Sequence, residues 1–315
     1  MFNAEKFIKE TIEALKKEIQ GQALIAFSGG VDSTVCAALV NKAVGKNLVA
    51  VHVDTGFMRK NESKNVKQMM GKMKLNYKFI DASKDFYNAL KGVTDPEKKR
   101  KIIGEKFIRV FEKEAEKEKI EYLVQGTIAP DWIESGGELR DTIKSHHNVG
   151  GLPKHMKLKL VEPLRDLYKD EVRKVARELK LDVSERQPFP GPGLAVRIIG
   201  ETSPERVRII QEACFIVEEE IEKAVQQGLM EMPWQYFAVL LPVKTVGVHG
   251  DQRAYGHVIA VRAVESIDAM TCAYSKIPHE VLDHISTRIT NTLKDKINRV
   301  VYDTTNKPPG TVEWE

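Results

Sequence analysis

Cysteine is scarce in this chain of 315 residues: Cys36, Cys214 and Cys272 stand far apart, odd in number, with no CxxC pair. That argues against a disulfide framework or a cysteine zinc site, and makes a reducing cytoplasm the expected compartment. No apolar run approaches the roughly 20 residues of a membrane span. The opening stretch, MFNAEKFIKETIEALKKEIQ, is charged and amphipathic, unlike a signal peptide. Charge of one sign is lacking as well. The 49 basic and 45 acidic residues leave a net +4, with no basic stripe of the kind that marks a nucleic-acid binder. Runs such as EKKRKIIGEK mix both signs at helical spacing and read as solvated helix faces. What is plentiful is apolar residues, 42% of the chain, enough for a real core in one large or two ordinary domains.

Periodicity predicts an alternation of strands and helices through the first half. Residues 4–20 place Phe7, Ile8, Ile12, Leu15 and Ile19 on one helical face. ALIAF (23–27) reads as a strand, and Ser33–Val44 as a buried helix. NLVAVHV (47–53), YKFID (77–81) and EYLVQGT (121–127) are further strands, with helices over 61–73 and 96–118 between them. This pattern predicts an α/β fold with a parallel Rossmann-like sheet, helices on both faces and ligands beyond the carboxyl ends of the strands. Residues 128–160 show little periodicity and hold two Gly-Gly pairs, which suits a lid or a linker. DEVRKVAREL (170–179) is a helix. The segment QPFPGPGLAVR (187–197) breaks any regular element, so the boundary is placed there: a first domain over 1–188 with its lid at about 128–160, and a second over 189–315. The second half reads as α+β, with a helix over 204–226, two strands around HGDQRAY (249–255), a helix over 279–295 and a last strand, NRVVYDTT.

The chemistry gathers in LIAFSGGVDST (24–34). A Gly-Gly pair after a buried strand lets the backbone turn tightly and approach a ligand. The helix that follows offers free N–H groups and a positive dipole end, an anion site. Ser28, Ser33 and Thr34 add hydroxyls. Asp32 would repel a bare phosphate, which implies a cation between them, magnesium in the usual arrangement. The loop lacks the lysine of a Walker A motif. A loop without it can grip pyrophosphate as a leaving group, with the cut between the α- and β-phosphates. An ordinary strand-to-helix turn, with Asp32 as a first-turn acid, is the plainer reading of a Gly-Gly pair by itself.

SGGVDST resembles the loop shared by the N-type ATP pyrophosphatases (the adenine nucleotide α-hydrolase-like fold), a group that includes several synthetases and tRNA-modifying enzymes. HVDTGFMR, QGTIAPDWIES, IKSHHNVGGLP, VEPLRDLYKDEVR, RQPFPGPGLAVRIIGE, LLPVKTVGVHGDQRAY and KPPGTVEWE then resemble, in order and over nearly the whole chain, the GMP synthetases. The resemblance implies a pyrophosphatase domain followed by a smaller dimerisation domain. It implies a C–N ligase that adenylylates the C2 oxygen of XMP with ATP, releases pyrophosphate, and lets ammonia displace AMP to give GMP.

The resemblance assigns ATP to Ala26, Ser28, Gly29, Gly30, Val31, Asp32, Ser33, Thr34, Val53 and Gly126, with Asp32 also on magnesium. Catalytic roles fall to Asp32, to the acidic pair Asp131 and Glu134, and to the basic pair Lys144 and His146, the lid bringing Lys144 to the α-phosphate. XMP maps onto Arg100, Gln235, Arg299, Lys307, Val312 and Glu313, where guanidinium and ammonium groups suit its phosphate. Zinc on His146, His147 and His155 is disfavoured, because no HExxH occurs and adjacent histidines rarely share an ion.

A glutamine amidotransferase needs a cysteine on a tight glycine-flanked turn. The contexts VCA, ACF and TCA do not provide one. The chain is therefore expected to be the synthetase subunit of a two-subunit enzyme: a homodimer through its C-terminal domain, taking ammonia from a separate glutaminase subunit. No nucleic-acid or membrane partner is expected. A tRNA-thiolating enzyme would need catalytic or zinc cysteines and a basic RNA surface. A non-catalytic nucleotide sensor would bind ATP without turnover.

Overall fold

A computed structural model describes residues 2–134, 158–181, 187–249, 251–266 and 270–315, leaving out the side chains of 132–134 and 249. Chain contacts divide it into two compact units. The first takes Met1–Asp54, Glu62–Ala82 and Gly104–Arg186; the second takes Thr55–Asn61, Ser83–Ile103 and Gln187–Glu315. The sequence suggested one cut at 188, whereas the compact units interleave.

In chain order the first unit opens with α1 (Ala4–Glu18), β1 (Ala23–Ala26), α2 (Val31–Val44), β2 (Leu48–Asp54), α3 (Glu62–Lys72) and β3 (Asn76–Asp81). Helix α4 (Ser83–Ala89) belongs to the second unit, and α5 (Pro96–Lys117) is divided between the two. β4 (Tyr122–Val124), α6 (Ala129–Glu134), β5 (Lys159–Val161) and α7 (Lys169–Glu178) complete the first unit. Its five strands lie in the order β3-β2-β1-β4-β5, all parallel. β1 and β2 are nearly continuous apolar runs because both faces are covered. One core joins Ile25, Val35, Leu39, Ala50, Val66, Val124 and Val172.

The chain moves from β1 to β2 and β3 on one side, then crosses to β4 and β5 on the other. The reversal lies between β1 and β4, and in such sheets the crevice at the strands' carboxyl ends is where ligands bind. Helix α2 starts at Val31, two residues before the expected Ser33, with Gly30 as its N-cap. Short elements close both ends of the aperiodic stretch: α6 and β5.

The second unit continues with α8 (Pro204–Gln226), β6 (Gln235–His249), β7 (Gln252–Glu265), β8 (Ala273–Tyr274), α9 (His279–Thr292) and β9 (Ile297–Tyr302). β6 and β7 form a long antiparallel hairpin, and β9 joins β7 in parallel. Ser203 caps α8 by accepting from the Arg206 amide, and Pro204 sits at the first helical turn, where its missing N–H costs nothing. The reason for interleaving is local. The Phe57 carbonyl accepts from the Leu194 amide at 2.8 Å, and buried Lys99 donates to the carbonyls of Ala195 and Ile198. These contacts tie 55–61 and 83–103 to the FPGPGLAVR segment.

The last residues are strapped down by buried cations. Arg262, 1% exposed, donates to Asp303 and to the carbonyls of Thr305, Thr311 and Val312. Arg197 pairs with Glu313, and Lys99 with Glu315. Asp303 also accepts from the Trp314 indole N–H at 2.9 Å.

This packing can be tested at two positions. Gly193 has φ +65°, and a Cβ there would stand 2.4 Å from the Phe57 carbonyl oxygen. Gly193→Ala is expected to cost more than about 1 kcal/mol, read as a lower denaturant midpoint. Burial pushes the Asp303 carboxyl up, but the Thr305 amide and hydroxyl and Arg262 outweigh it and hold it below its ordinary value. A depressed folded-state pKa stabilises above the unfolded value and is lost as pH falls through the folded one. Asp303→Asn should therefore be less stable at neutral pH yet lose less on acidification below about pH 4. Parallel melting-temperature curves for the two proteins would contradict this.

Candidate active site

The loop after β1 is shaped by its own small residues. Gly29 adopts φ +79°, and a Cβ there would come within 2.7 Å of the Val66 side chain, so only glycine fits without displacement. Ser28 and Ser33 hydroxyls meet at 2.9 Å. The Gly30 amide donates to Ser28 Oγ at 3.2 Å, and Ser33 Oγ donates to the Gly30 carbonyl at 3.1 Å. Thr34 donates to the same carbonyl at 2.7 Å and is 1% exposed. Its hydroxyl therefore holds the turn from inside, while any ligand contact falls to the loop backbone and the serines. Gly30 provides no side-chain cap. The first-turn N–H groups of Val31, Asp32 and Ser33 thus have no helical acceptor and add to the dipole's positive end.

Beneath the loop, buried His52 on β2 fixes the strand end. Its Nδ1 lies 2.9 Å from the Phe27 carbonyl and its Nε2 3.4 Å from Ser63 Oγ. A carbonyl can only accept, so Nδ1 carries a proton and donates to it. Across the crevice, a Cβ on Gly126 would lie 3.3 Å from Asp32 atoms and 3.4 Å from the Ser33 amide nitrogen. The segment after β4 therefore passes directly against the start of α2. Ala26 and Val53 lie at the ends of the two neighbouring strands on the other side.

The cation missing from the loop stands on α7. Lys169 Nζ lies 2.8 and 2.6 Å from the two carboxylate oxygens of Asp32. It is the first residue of that helix, and Glu171 reaches back to accept from the Tyr168 amide at 2.9 Å. Sequence reasoning expected a cation from the lid, Lys144, and passed over Lys169. YKDEVR reads only as a helix start, and nothing in it tells that β5 delivers that start beside β1's loop. Asp131 Oδ2 accepts from the Ile128 amide at 2.9 Å, securing the turn into α6. Glu134 ends α6, but its side chain lies outside the described residues, as do Lys144, His146 and the other lid histidines.

Cys36, on the buried face of α2, is no nucleophile. Burial, then the charges of Asp32 and Glu162, push its thiol well above the ordinary range, keeping it neutral. Among the described residues no group of three or more His, Cys, Asp or Glu is placed to hold a metal by itself. Asp32 is the one carboxylate at the helix end, and both its oxygens are held by Lys169, so a magnesium ion there would have to displace that ammonium group and draw its remaining ligands from phosphate oxygens.

In the second unit Gln235 and Glu313 meet at 3.1 Å, and Arg100 donates to the main-chain oxygen of Glu315. Arg299 lies on β9, exposed, and Lys307 pairs its backbone with Cys272. The amide nitrogen of Gln235 is already bonded to the Pro188 carbonyl and to Glu313.

A glycine-built, lysine-free anion loop at the switch point of a parallel sheet defines the first unit as a nucleotide-handling PP-loop fold, and the PP-loop domain family matches residues 3–186. The GMP synthase C terminal domain family matches residues 219–314. The chain is 56% identical to a subunit of the glutamine-hydrolyzing GMP synthase of Thermoplasma acidophilum, over 99% of its own length and 100% of that protein's. It is 57% identical to the corresponding subunit from Methanopyrus kandleri over the whole of both chains. Against the glutamine-hydrolyzing GMP synthase of Thermotoga petrophila it is 54% identical over 98% of its length, which covers 62% of that longer protein. The chain belongs to this family of GMP synthase subunits, whose members are C–N ligases.

The Asp32–Lys169 pair is partly exposed, so its removal should hardly disturb folding, by at most about 1 kcal/mol. Lys169→Met is expected to leave the melting temperature within a few degrees while ATP turnover falls about 100-fold. Asp32→Ala should abolish turnover. A Lys169→Met enzyme with ordinary turnover would remove the lysine from the site.

Proposed function

We propose that the protein makes GMP in two steps: ATP-dependent adenylylation of the C2 oxygen of XMP, then displacement of AMP by ammonia. The observation that carries the reading is the Ser28–Thr34 loop, its open helix end and Lys169, set against Gly126 at the switch point. The α2 N–H groups and the loop amides hold the departing pyrophosphate, and adenine lies by Ala26 and Val53. Asp32 is the residue that would hold magnesium, which when bound neutralises phosphate charge. Lys169 supplies the cation that the loop itself lacks. The geometry asked of the protein is positioning and charge stabilisation, which suits transfer at a phosphorus atom.

Asp131 and Glu134, with Lys144 and His146, are assigned to the ATP side. Arg100, Gln235, Arg299, Lys307, Val312 and Glu313 are assigned to XMP. Ammonia comes from a separate glutamine amidotransferase subunit, and the protein alone uses free ammonia. It works as a homodimer through the second unit. Val246, Val248 and Tyr255 support this, standing 47%, 72% and 62% exposed on the β6–β7 hairpin with Val246 directly opposite Tyr255. A cytoplasmic setting goes with its free buried thiols.

The deciding assay is pyrophosphate release from ATP by the isolated protein. Release should require both XMP and magnesium, and GMP should form with ammonium salts but not with glutamine. Equal release without XMP, or GMP from glutamine in the absence of any partner, would overturn the reading.

A further inference from the structure

Glu313 presents a puzzle under the function proposed above: XMP is an anion, and a bare carboxylate beside it would repel it. The structure supplies the counter-charge. Arg197 donates to both oxygens of Glu313, from Nη2 at 2.8 Å and from Nε at 3.1 Å. Its side chain is fully buried, its guanidinium carbon 4.1 Å from the Phe237 ring centroid and 5.3 Å from that of Phe189. Burial works against that charge, and Glu313 outweighs it, keeping Arg197 firmly protonated. Among the described residues buried Nη1 meets no hydrogen-bond partner, so the hold on neighbouring groups is concentrated on the edge that faces Glu313. Gln235 donates to the same carboxylate at 3.1 Å. A carboxylate has about four acceptor positions, and three are taken here. About one remains for a donor from outside, such as a ribose hydroxyl.

We infer that Arg197 is a positioning residue for the nucleotide-accepting tail, neutralising Glu313 and fixing its carboxylate while Arg262 braces the turn that leads to it. The inference rests on the assignment of XMP to this tail. Arg262 grips the carbonyls of Thr305, Thr311 and Val312, and Lys307 is pinned through its backbone to Cys272 at 2.8 and 3.1 Å. The tail's assigned nucleotide contacts are thus carried on backbone held from inside by buried cations. Lysine cannot replace Arg197, because an ammonium group lacks the planar fork that meets two carboxylate oxygens at once.

The test uses the whole protein with ammonium chloride as nitrogen source. Wild-type binding of XMP is measured first by calorimetry; if XMP does not bind, the proposed function itself fails. Given binding, Arg197→Lys should raise the KM for XMP at least about tenfold while the KM for ATP changes less than about twofold. Hydrogen exchange at residues 311–315 should rise with it. A parallel rise in both KM values, or a lower melting temperature with an unchanged KM for XMP, overturns the inference. Should Arg197→Lys fail to fold, Trp314→Phe carries the test. It removes the indole N–H that Asp303 accepts, together with part of the ring, at a partly exposed position. Faster exchange in the tail with a severalfold higher KM for XMP alone supports the inference; an unchanged KM for XMP overturns it.

Discussion

The first unit depends on the reversal of strand order beside β1. With β2 on one side of β1 and β4 on the other, the strand order reverses there, which is where such sheets leave a crevice at the carboxyl ends of the strands. That constraint leaves the start of α2 open. The N–H groups that a helix ordinarily leaves unsatisfied become the site's main asset, and Gly29 and Gly126 let backbone rather than side chains line it. Lys169 then answers the charge balance. Asp32 at a positive helix end is stable in itself, and α7, from beyond β5, sets the Lys169 ammonium group against it.

In the second unit the organising interactions are ionic and buried. Arg197, Arg262 and Lys99 would each be costly out of water if left alone. Each is matched by a tail carboxylate or by a set of carbonyls, so the C-terminal segment is not a frayed end but the partner that the core's charges require. Removing a partner strands a buried charge, which makes the tail's conformation a condition of the unit's stability. Such pairs add little net stability over an apolar core of the same shape. They define one arrangement of the chain instead of many.

Much of this was legible in the residue pattern. Strong periodicity announced α1, α7 and α8, and continuous apolar runs announced β1 and β2, because these elements bury faces within their own stretch of chain. The loop chemistry was legible for the same reason: Ser28 to Thr34 are contiguous. Helix α4 and strand β5 passed unnoticed, being short, and β5 has only Val161 buried among its three residues. That the Thr34 hydroxyl turns inward to the Gly30 carbonyl is not written in the loop's residue pattern. The segments 55–61 and 83–103 looked like loops and a helix of the first domain. Their affiliation with the second unit rests on the contacts of Phe57 and Lys99, which no local pattern encodes.

The sequence by itself determined the element types, the anion loop with its missing lysine, and the family to which the chain belongs, because each is written in adjacent residues. The tertiary structure alone decided that Lys169 meets Asp32 across 137 positions, that Arg197 neutralises Glu313 across 116, and that the two compact units interleave. Those pairings depend on which strand lies beside which and on where buried charge finds its counter-charge. Both are properties of the packed chain, and residues so far apart carry no mark of each other.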